Sequence, residues 1–165
     1  MKIGSNKAVG EYRVARKETI IYDDEKVVCF NVSDFVGTGG RNEKGDVMLV
    51  QAVFSFIAEA AGGLSKLGLR SRADLPGVTG VFGGDTGFLI SSFQLKWMQI
   101  LTSQHVGMLF PGYYKEKIPA MGPGDRRQAM FLLHQFAQES AALLNKTDYT
   151  STMLSEFPEL SGNIR

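Results

Sequence analysis

Apolar residues recur at helical spacing in three segments of this sequence, and this periodicity constrains the fold more than any other feature. In the first segment they repeat every three or four residues, which places them along one stripe of a helix: Val47, Val50, Phe54, Ile57, Ala58 and Ala61. We expect Asp46 to cap the free N–H groups at the helix start, worth about 1 kcal/mol. Gly62-Gly63 is expected to end the helix, because glycine accepts the left-handed conformation there.

Two further helices are predicted after this one. The second should begin near Asp85-Thr86 and the third at Asp125. The second would bury Leu89, Phe93, Trp97, Ile100 and Leu101, and the third would carry Ala129, Leu132, Leu133, Phe136, Ser140, Leu143 and Leu144 on or near one side. Residues 64–84 are rich in glycine and residues 105–124 hold three prolines, so both connections disfavour a long helix.

The segment before the helices is predicted to be extended. Residues 19–22 and 27–30 are β-rich runs separated by Asp23-Asp24-Glu25-Lys26, which indicates a hairpin. A lone hairpin is marginal in water, so it must pack on another element. The polar tail, residues 147–165, is expected to fray or dock loosely. We therefore expect a mainly α chain with an extended hairpin segment (1–35), a helical domain (36–146) and a C-terminal tail (147–165).

Charge and cysteine content exclude several classes of function. Eighteen basic and 17 acidic residues give a net charge of +1, which disfavours a nucleic-acid partner, since affinity for phosphate comes largely from positive surface. Cys29 is the only cysteine, so no internal disulfide forms, and its apolar neighbours indicate a buried thiol. No apolar run approaches the about 20 residues that cross a bilayer. The polar segment 1–10 lacks the apolar stretch of a signal peptide, so we expect synthesis in the cytoplasm and no membrane partner.

Two stretches of sequence together carry a resemblance to a known family. The first contains Gly37-Thr38-Gly39-Gly40-Arg41-Asn42 and then Asp46-Val47-Met48-Leu49-Val50-Gln51. The second contains Gly77-Val78-Thr79-Gly80-Val81-Phe82-Gly83-Gly84-Asp85-Thr86 and then Ser92-Phe93-Gln94. They resemble the three-helix peptidoglycan-binding module of many bacterial and phage cell-wall enzymes. In that family an aspartate–valine start and a VQ or LQ pair mark the first helix, and a DG-x-F/W-G-x-x-T turn leads into a second helix bearing FQ.

The resemblance covers roughly residues 36 to 120 and implies a three-helix bundle that binds peptidoglycan without catalysis or a cofactor. The sequence departs from the family pattern at Thr79, where the family has an aspartate, and in a longer loop between Gly62 and Pro76.

Most of the motif residues are suited to holding the fold. Gly80 and Gly83 would permit a tight turn, Phe82 would pack the turn on the core, Asp85 or Thr86 would cap the second helix, Phe93 would fill the core, and Gln51 and Gln94 would bond loop backbone groups.

A glycan ligand favours exposed aromatic faces next to amide or hydroxyl groups. The candidates for direct contact are Gln94, Trp97, Gln99, Tyr113 and Tyr114. For Trp97 simple core packing is the favoured alternative, whereas proline and glycine around Tyr113-Tyr114 favour exposure.

Catalytic sites find little support in the residues. A glycosidase needs two carboxylates about 5–9 Å apart, and Glu59 with Asp85 is the only central pair to consider. A zinc site needs three protein ligands, whereas the chain has two histidines, His105 and His134, at no metal-binding spacing. His134 lies among apolar residues and is predicted to be packed within its helix. We therefore expect no enzyme, no metal and no cofactor.

Two alternatives to wall binding remain at this point. The same fold could serve as a structural or protein-interaction component of a phage particle or secretion machine, as a homo-oligomer or within a larger assembly. A hairpin with a free edge could accept a partner strand. The second alternative is a small wall hydrolase. Without a signal peptide, a wall-binding protein would reach its target through lysis or a dedicated secretion machine, and its partner would be peptidoglycan or a wall-associated protein.

Overall fold

A β-hairpin lies at the start of the part that the structure describes. The computed structural model describes residues 14–22, 24–97 and 129–165. Strand β1 (Arg16–Tyr22) runs antiparallel to β2 (Glu25–Asn31), and Tyr22 pairs with Glu25 across the turn. The predicted hairpin is confirmed, with longer strands and a shorter turn. Asp24 has a φ of 64°, the left-handed conformation that two-residue hairpin turns require.

The hairpin is part of the core. Cys29 and Phe30 point to opposite faces of the sheet, and both are buried. Part of each hairpin edge is already occupied. The N–H of Lys17 donates to the Arg165 carbonyl at 2.7 Å on one side, and the N–H of Phe30 donates to the Tyr149 hydroxyl at 3.0 Å on the other. The free edge available to a partner strand is therefore shorter than the sequence suggests.

Helix α1 (Lys44–Glu59) lies at the centre of the fold and is buried around most of its circumference. The predicted stripe is buried from Val47 to Ala58, but so are residues outside it: Met48, Leu49, Ala52, Val53 and Phe56. A helix that is apolar on all sides is one that other elements surround. The prediction of a helix with a single apolar face is therefore wrong for α1.

Both predicted ends of α1 need correction. The helix begins before Asp46, and this buried carboxylate does not cap it. Asp46 instead accepts hydrogen bonds from the N–H of Ser33 at 2.8 Å, the hydroxyl of Ser33 at 2.7 Å and the N–H of Asp34 at 3.0 Å. It thus joins α1 to the chain that leaves β2, although burial raises its pKa. The helix ends at Glu59, before the predicted glycines, and Gly62 takes the left-handed conformation (φ 76°) ahead of the next helix.

Four more helices complete the described part of the chain. They are α2 (Gly63–Lys66), α3 (Gly84–Trp97), α4 (Ala129–Leu143) and α5 (Tyr149–Glu156), with 3₁₀ turns at Arg72–Asp74 and Pro158–Leu160.

Edge-to-face ring contacts join three of the helices. Phe93 of α3 lies 5.6 Å from Phe54 of α1 and 6.2 Å from Phe136 of α4, centroid to centroid. The predicted start of the third helix, Asp125, lies outside the described residues, as do Ile100 and Leu101.

The C-terminal residues are an integral part of the core. Tyr149, Met153 and Leu160 are buried, and Asp148 caps α5 by accepting a hydrogen bond from the N–H of Ser151 at 2.7 Å. The prediction of a frayed or loosely docked tail is wrong, because these side chains pack beneath the hairpin and α4.

The described chain is thus mainly α-helical with one small antiparallel hairpin. Within residues 14–22, 24–97 and 129–165, no helix combines the length and the hydropathy that a bilayer-spanning segment requires.

Candidate ligand-binding surface

The side chain of Gln51 joins the two halves of the sequence motif. It is buried on α1. Its Oε1 accepts hydrogen bonds from the N–H groups of Thr79 and Gly80, both at 2.9 Å. Its Nε2 donates to the Val81 carbonyl and to the Thr86 hydroxyl, both at 3.1 Å. These are the loop contacts that the sequence predicts for this residue, and they use both donors and both lone pairs of the amide.

Gly80 is the residue of the turn that most needs to be glycine. Its φ is 76°, and a Cβ there would lie 2.7 Å from Cγ and 3.1 Å from the carbonyl oxygen of Lys44. Gly83, predicted to need similar freedom, has no positive φ. A Cβ at Gly83 would lie 3.2 Å from Oδ1 of Asp85, an exposed side chain that can shift by a few tenths of an ångström, so glycine is less strictly required there than at Gly80. Thr79 stabilises the turn through Oγ1, which accepts from the N–H of Val81 at 3.2 Å.

The aromatic residues of the motif pack as predicted. Phe82 is half-buried against the core, and its Cζ lies 3.3 Å from the position that a Cβ on Gly87 would take. Its ring therefore covers the first turns of α3. Phe93 is fully buried among the rings described above.

The predicted cap of α3 is wrong in detail. The helix begins at Gly84, so Asp85 and Thr86 both lie inside its first turn. Oδ1 of Asp85 accepts from the N–H of Thr86 at 2.7 Å, which still satisfies a free donor near the helix start. The Thr86 hydroxyl is buried and is bonded to Gln51 instead.

Trp97 lies at the surface, so the prediction that α3 buries it is wrong. The side chain is 42% exposed, although its ring centroid lies 5.0 Å from that of Phe136. Its Nε1 donates to the carbonyl of Lys66. The ammonium of Lys66 pairs with Glu139, and that of Lys96 lies 5.5 Å from the indole centroid.

We call Trp97 with Lys66, Lys96 and Glu139 the Trp97 surface. It combines a partly exposed aromatic ring with two ammonium groups and one carboxylate. Such a ring can stack on the apolar face of a sugar, and the charged groups can bind hydroxyls or carboxylates at its rim.

The other predicted contact residues do not add to this surface. Gln94 is fully buried, which favours a role inside the fold over direct contact with a ligand. Gln99, Tyr113 and Tyr114 lie outside the described residues.

The two acids considered for hydrolysis have different neighbours. Glu59 lies at the end of α1 beside Glu156 of α5, and its pKa is raised by burial and then by Glu156. Asp85 instead bonds within its own helix. Sequence reasoning missed Glu156 because it lies in the segment taken for a loose tail.

His134 is packed within the fold, as predicted. It is buried on α4, and its Nδ1 lies 2.6 Å from the hydroxyl of Tyr149. The same hydroxyl accepts from the N–H of Phe30 at 3.0 Å, and the tautomer of His134 decides which group donates in the bond between Nδ1 and Tyr149. Burial lowers the pKa of His134 to about 4 and raises that of Tyr149. This chain of bonds joins α4, α5 and β2, which lie far apart in the sequence, so no local pattern could predict it. His105 lies outside the described residues.

Cys29 is buried as predicted, and burial raises the pKa of its thiol to about 12. No group of three or more metal-ligating side chains occurs within the described ranges.

A shallow groove of about 410 Å³ lies between the hairpin and the start of α5, lined by Lys17, Lys26, Val28, Gln138, Asp148 and Ser151 among others. It contains none of the predicted contact residues.

A comparison of this chain with protein-family models, curated proteins and solved structures finds no match.

Proposed function

We propose that this chain is a non-catalytic module that binds peptidoglycan and directs a partner or assembly to the bacterial wall. The observation that carries the proposal is the hydrogen bonding of Gln51 to residues 79, 80, 81 and 86. It makes the two separated motif stretches one structural unit. That arrangement supports the resemblance to the three-helix peptidoglycan-binding module, and with it a wall ligand.

The Trp97 surface is the proposed contact region. Peptidoglycan offers sugar rings with apolar faces, together with peptide carboxylates and ammonium groups. The exposed indole suits the sugar faces, and Lys66, Lys96 and Glu139 suit the charged groups.

A sedimentation assay with purified insoluble cell wall tests the proposal. We expect the wild-type chain in the pellet and most of a Trp97→Ala variant in the supernatant. Leu143→Ala is the matched control, because Leu143 is 57% exposed at the end of α4, and it should sediment like wild type. Full recovery of the wild type in the supernatant would reject wall binding. Equal sedimentation of Trp97→Ala would reject the proposed surface.

A structural or protein-interaction role is the second candidate. The observation in its favour is the outer face of α3, where Phe88 and Leu95 are each 55% exposed. Large apolar side chains that share one exposed helix face are typical of protein contacts. The sedimentation assay discriminates the two roles, because a component of a protein assembly stays in the supernatant whatever its oligomeric state.

A further inference from the structure

The outer face of α3 has an ordered pattern of large and small residues. Phe88 and Leu95 are seven residues apart, close to two helical turns, so they lie on the same line along the helix. Gly84 and Ser91 fall on this line as well, four residues before Phe88 and four before Leu95. Small and large side chains therefore alternate along the line, which leaves recesses beside each large residue.

Two opposite charges flank this line on one side. Asp85 and Lys96 are both exposed and eleven residues apart, which is close to three turns, so they share one flank of the helix. Asp85 is in the first turn and Lys96 in the last turn of α3. The helix face is therefore apolar along its centre, acidic at one end of one flank and basic at the other end.

We propose that this face binds the same face of a second copy of the chain, with the two α3 helices antiparallel about a two-fold axis. The axis stands perpendicular to the plane of the two helices, so it brings each flank opposite the same flank of the other copy. In a register where Phe88 of one copy faces Leu95 of the other, Ser91 and Ser92 lie at the axis.

The charges complement each other in this arrangement. In this register the position opposite Asp85 is two residues beyond Lys96 of the other copy. Lys96 is therefore displaced from Asp85 by about 3 Å along the helix axis, a distance that a lysine side chain spans. The two-fold axis forms this contact twice. The Lys96 ammonium bonds the carbonyl and hydroxyl oxygens of Ser65, which leaves one of its three N–H groups for this contact. Asp85 keeps its second carboxylate oxygen, because only Oδ1 accepts from Thr86.

A single pair of short helices buries less than the about 1,600 Å² of a standard interface. The dimer should therefore dissociate on dilution.

Sedimentation velocity over a hundredfold range of concentration tests the proposal on the full chain. We expect a monomer–dimer equilibrium that Phe88→Ser weakens, whereas Leu143→Ser, an equally exposed apolar position on α4, leaves it unchanged. A chain that is monomeric throughout would overturn the proposal. So would loss of the dimer in Leu143→Ser but not in Phe88→Ser.

Charge reversal tests the antiparallel register. Asp85→Lys and Lys96→Asp should each weaken self-association on the order of tenfold, because each places like charges together twice. An equimolar mixture of the two variants should associate as well as wild type, since both contacts in the mixed dimer then join opposite charges. Thermal melts establish that each variant is folded. Failure of the mixture to associate would overturn this pairing, whatever the effect of each single change.

Discussion

Replacing Gln51 by alanine should unfold the chain at markedly lower denaturant concentration. The change removes four hydrogen bonds between α1 and the turn before α3. Two of the released groups, the N–H of Gly80 and the hydroxyl of Thr86, belong to buried residues. An unsatisfied buried polar group costs about 1–3 kcal/mol. The more exposed groups of Thr79 and Val81 regain water, so we expect a loss of about 2–4 kcal/mol in the free energy of unfolding.

Urea denaturation followed by circular dichroism measures this loss. The matched control is Gln135→Ala, since Gln135 is a half-buried glutamine in the middle of α4. It should change the free energy of unfolding by less than about 0.5 kcal/mol. If Gln51→Ala costs no more than Gln135→Ala, the amide does not hold the turn, and the main support for the proposed function is lost.

Three further predictions concern acidity, the turn and the thiol. The pKa of His134 is about 4 in the folded chain against 6.5 in the unfolded chain, so the neutral histidine stabilises the fold fully above pH 6.5. As the pH falls towards 4, the free energy of unfolding should decrease by about 3 kcal/mol. The decrease measured over this range should be smaller in His134→Asn. Gly80→Ala should destabilise the chain by at least about 1 kcal/mol more than Gly39→Ala in thermal melts, since both have a positive φ but only Gly80 has Lys44 in the way; equal losses would contradict the steric argument. Cys29 should not react with a thiol reagent at pH 8 until the chain is unfolded, and rapid labelling of the native protein would show that it is not buried.

The predictions that the structure confirms rest on local patterns. Two β-rich runs predicted the hairpin, and apolar spacing predicted α1 and the start of α3 to within a few residues. The role of Gln51 followed from the need of a tight turn for partners to its backbone groups.

The failures concern contacts between segments distant in sequence. Asp46 had the residue type and position of a helix cap, but its partners, Ser33 and Asp34, come from the chain after β2. The sequence of the C-terminal helix does contain a helical pattern, although most of its residues are polar. Tyr149 and Met153 are spaced as on one helix face, and Asp148 before them is a good capping residue. Polar residues between them favoured the interpretation as a loose tail.

The exposure of Trp97 also depended on distant contacts. The apolar spacing of α3 placed it with Leu89 and Phe93, which are buried. Whether the last residue on that face is covered depends on which elements extend past it, and this is a property of the assembled fold.

The most direct test of wall binding uses the fluorescence of Trp97, because the chain contains one tryptophan. Soluble peptidoglycan fragments are titrated into the protein, with an unrelated neutral oligosaccharide as the control. Wall binding at the Trp97 surface predicts a saturable change in intensity or emission maximum with the fragments alone. An unchanged emission spectrum at saturating fragment concentration would contradict it.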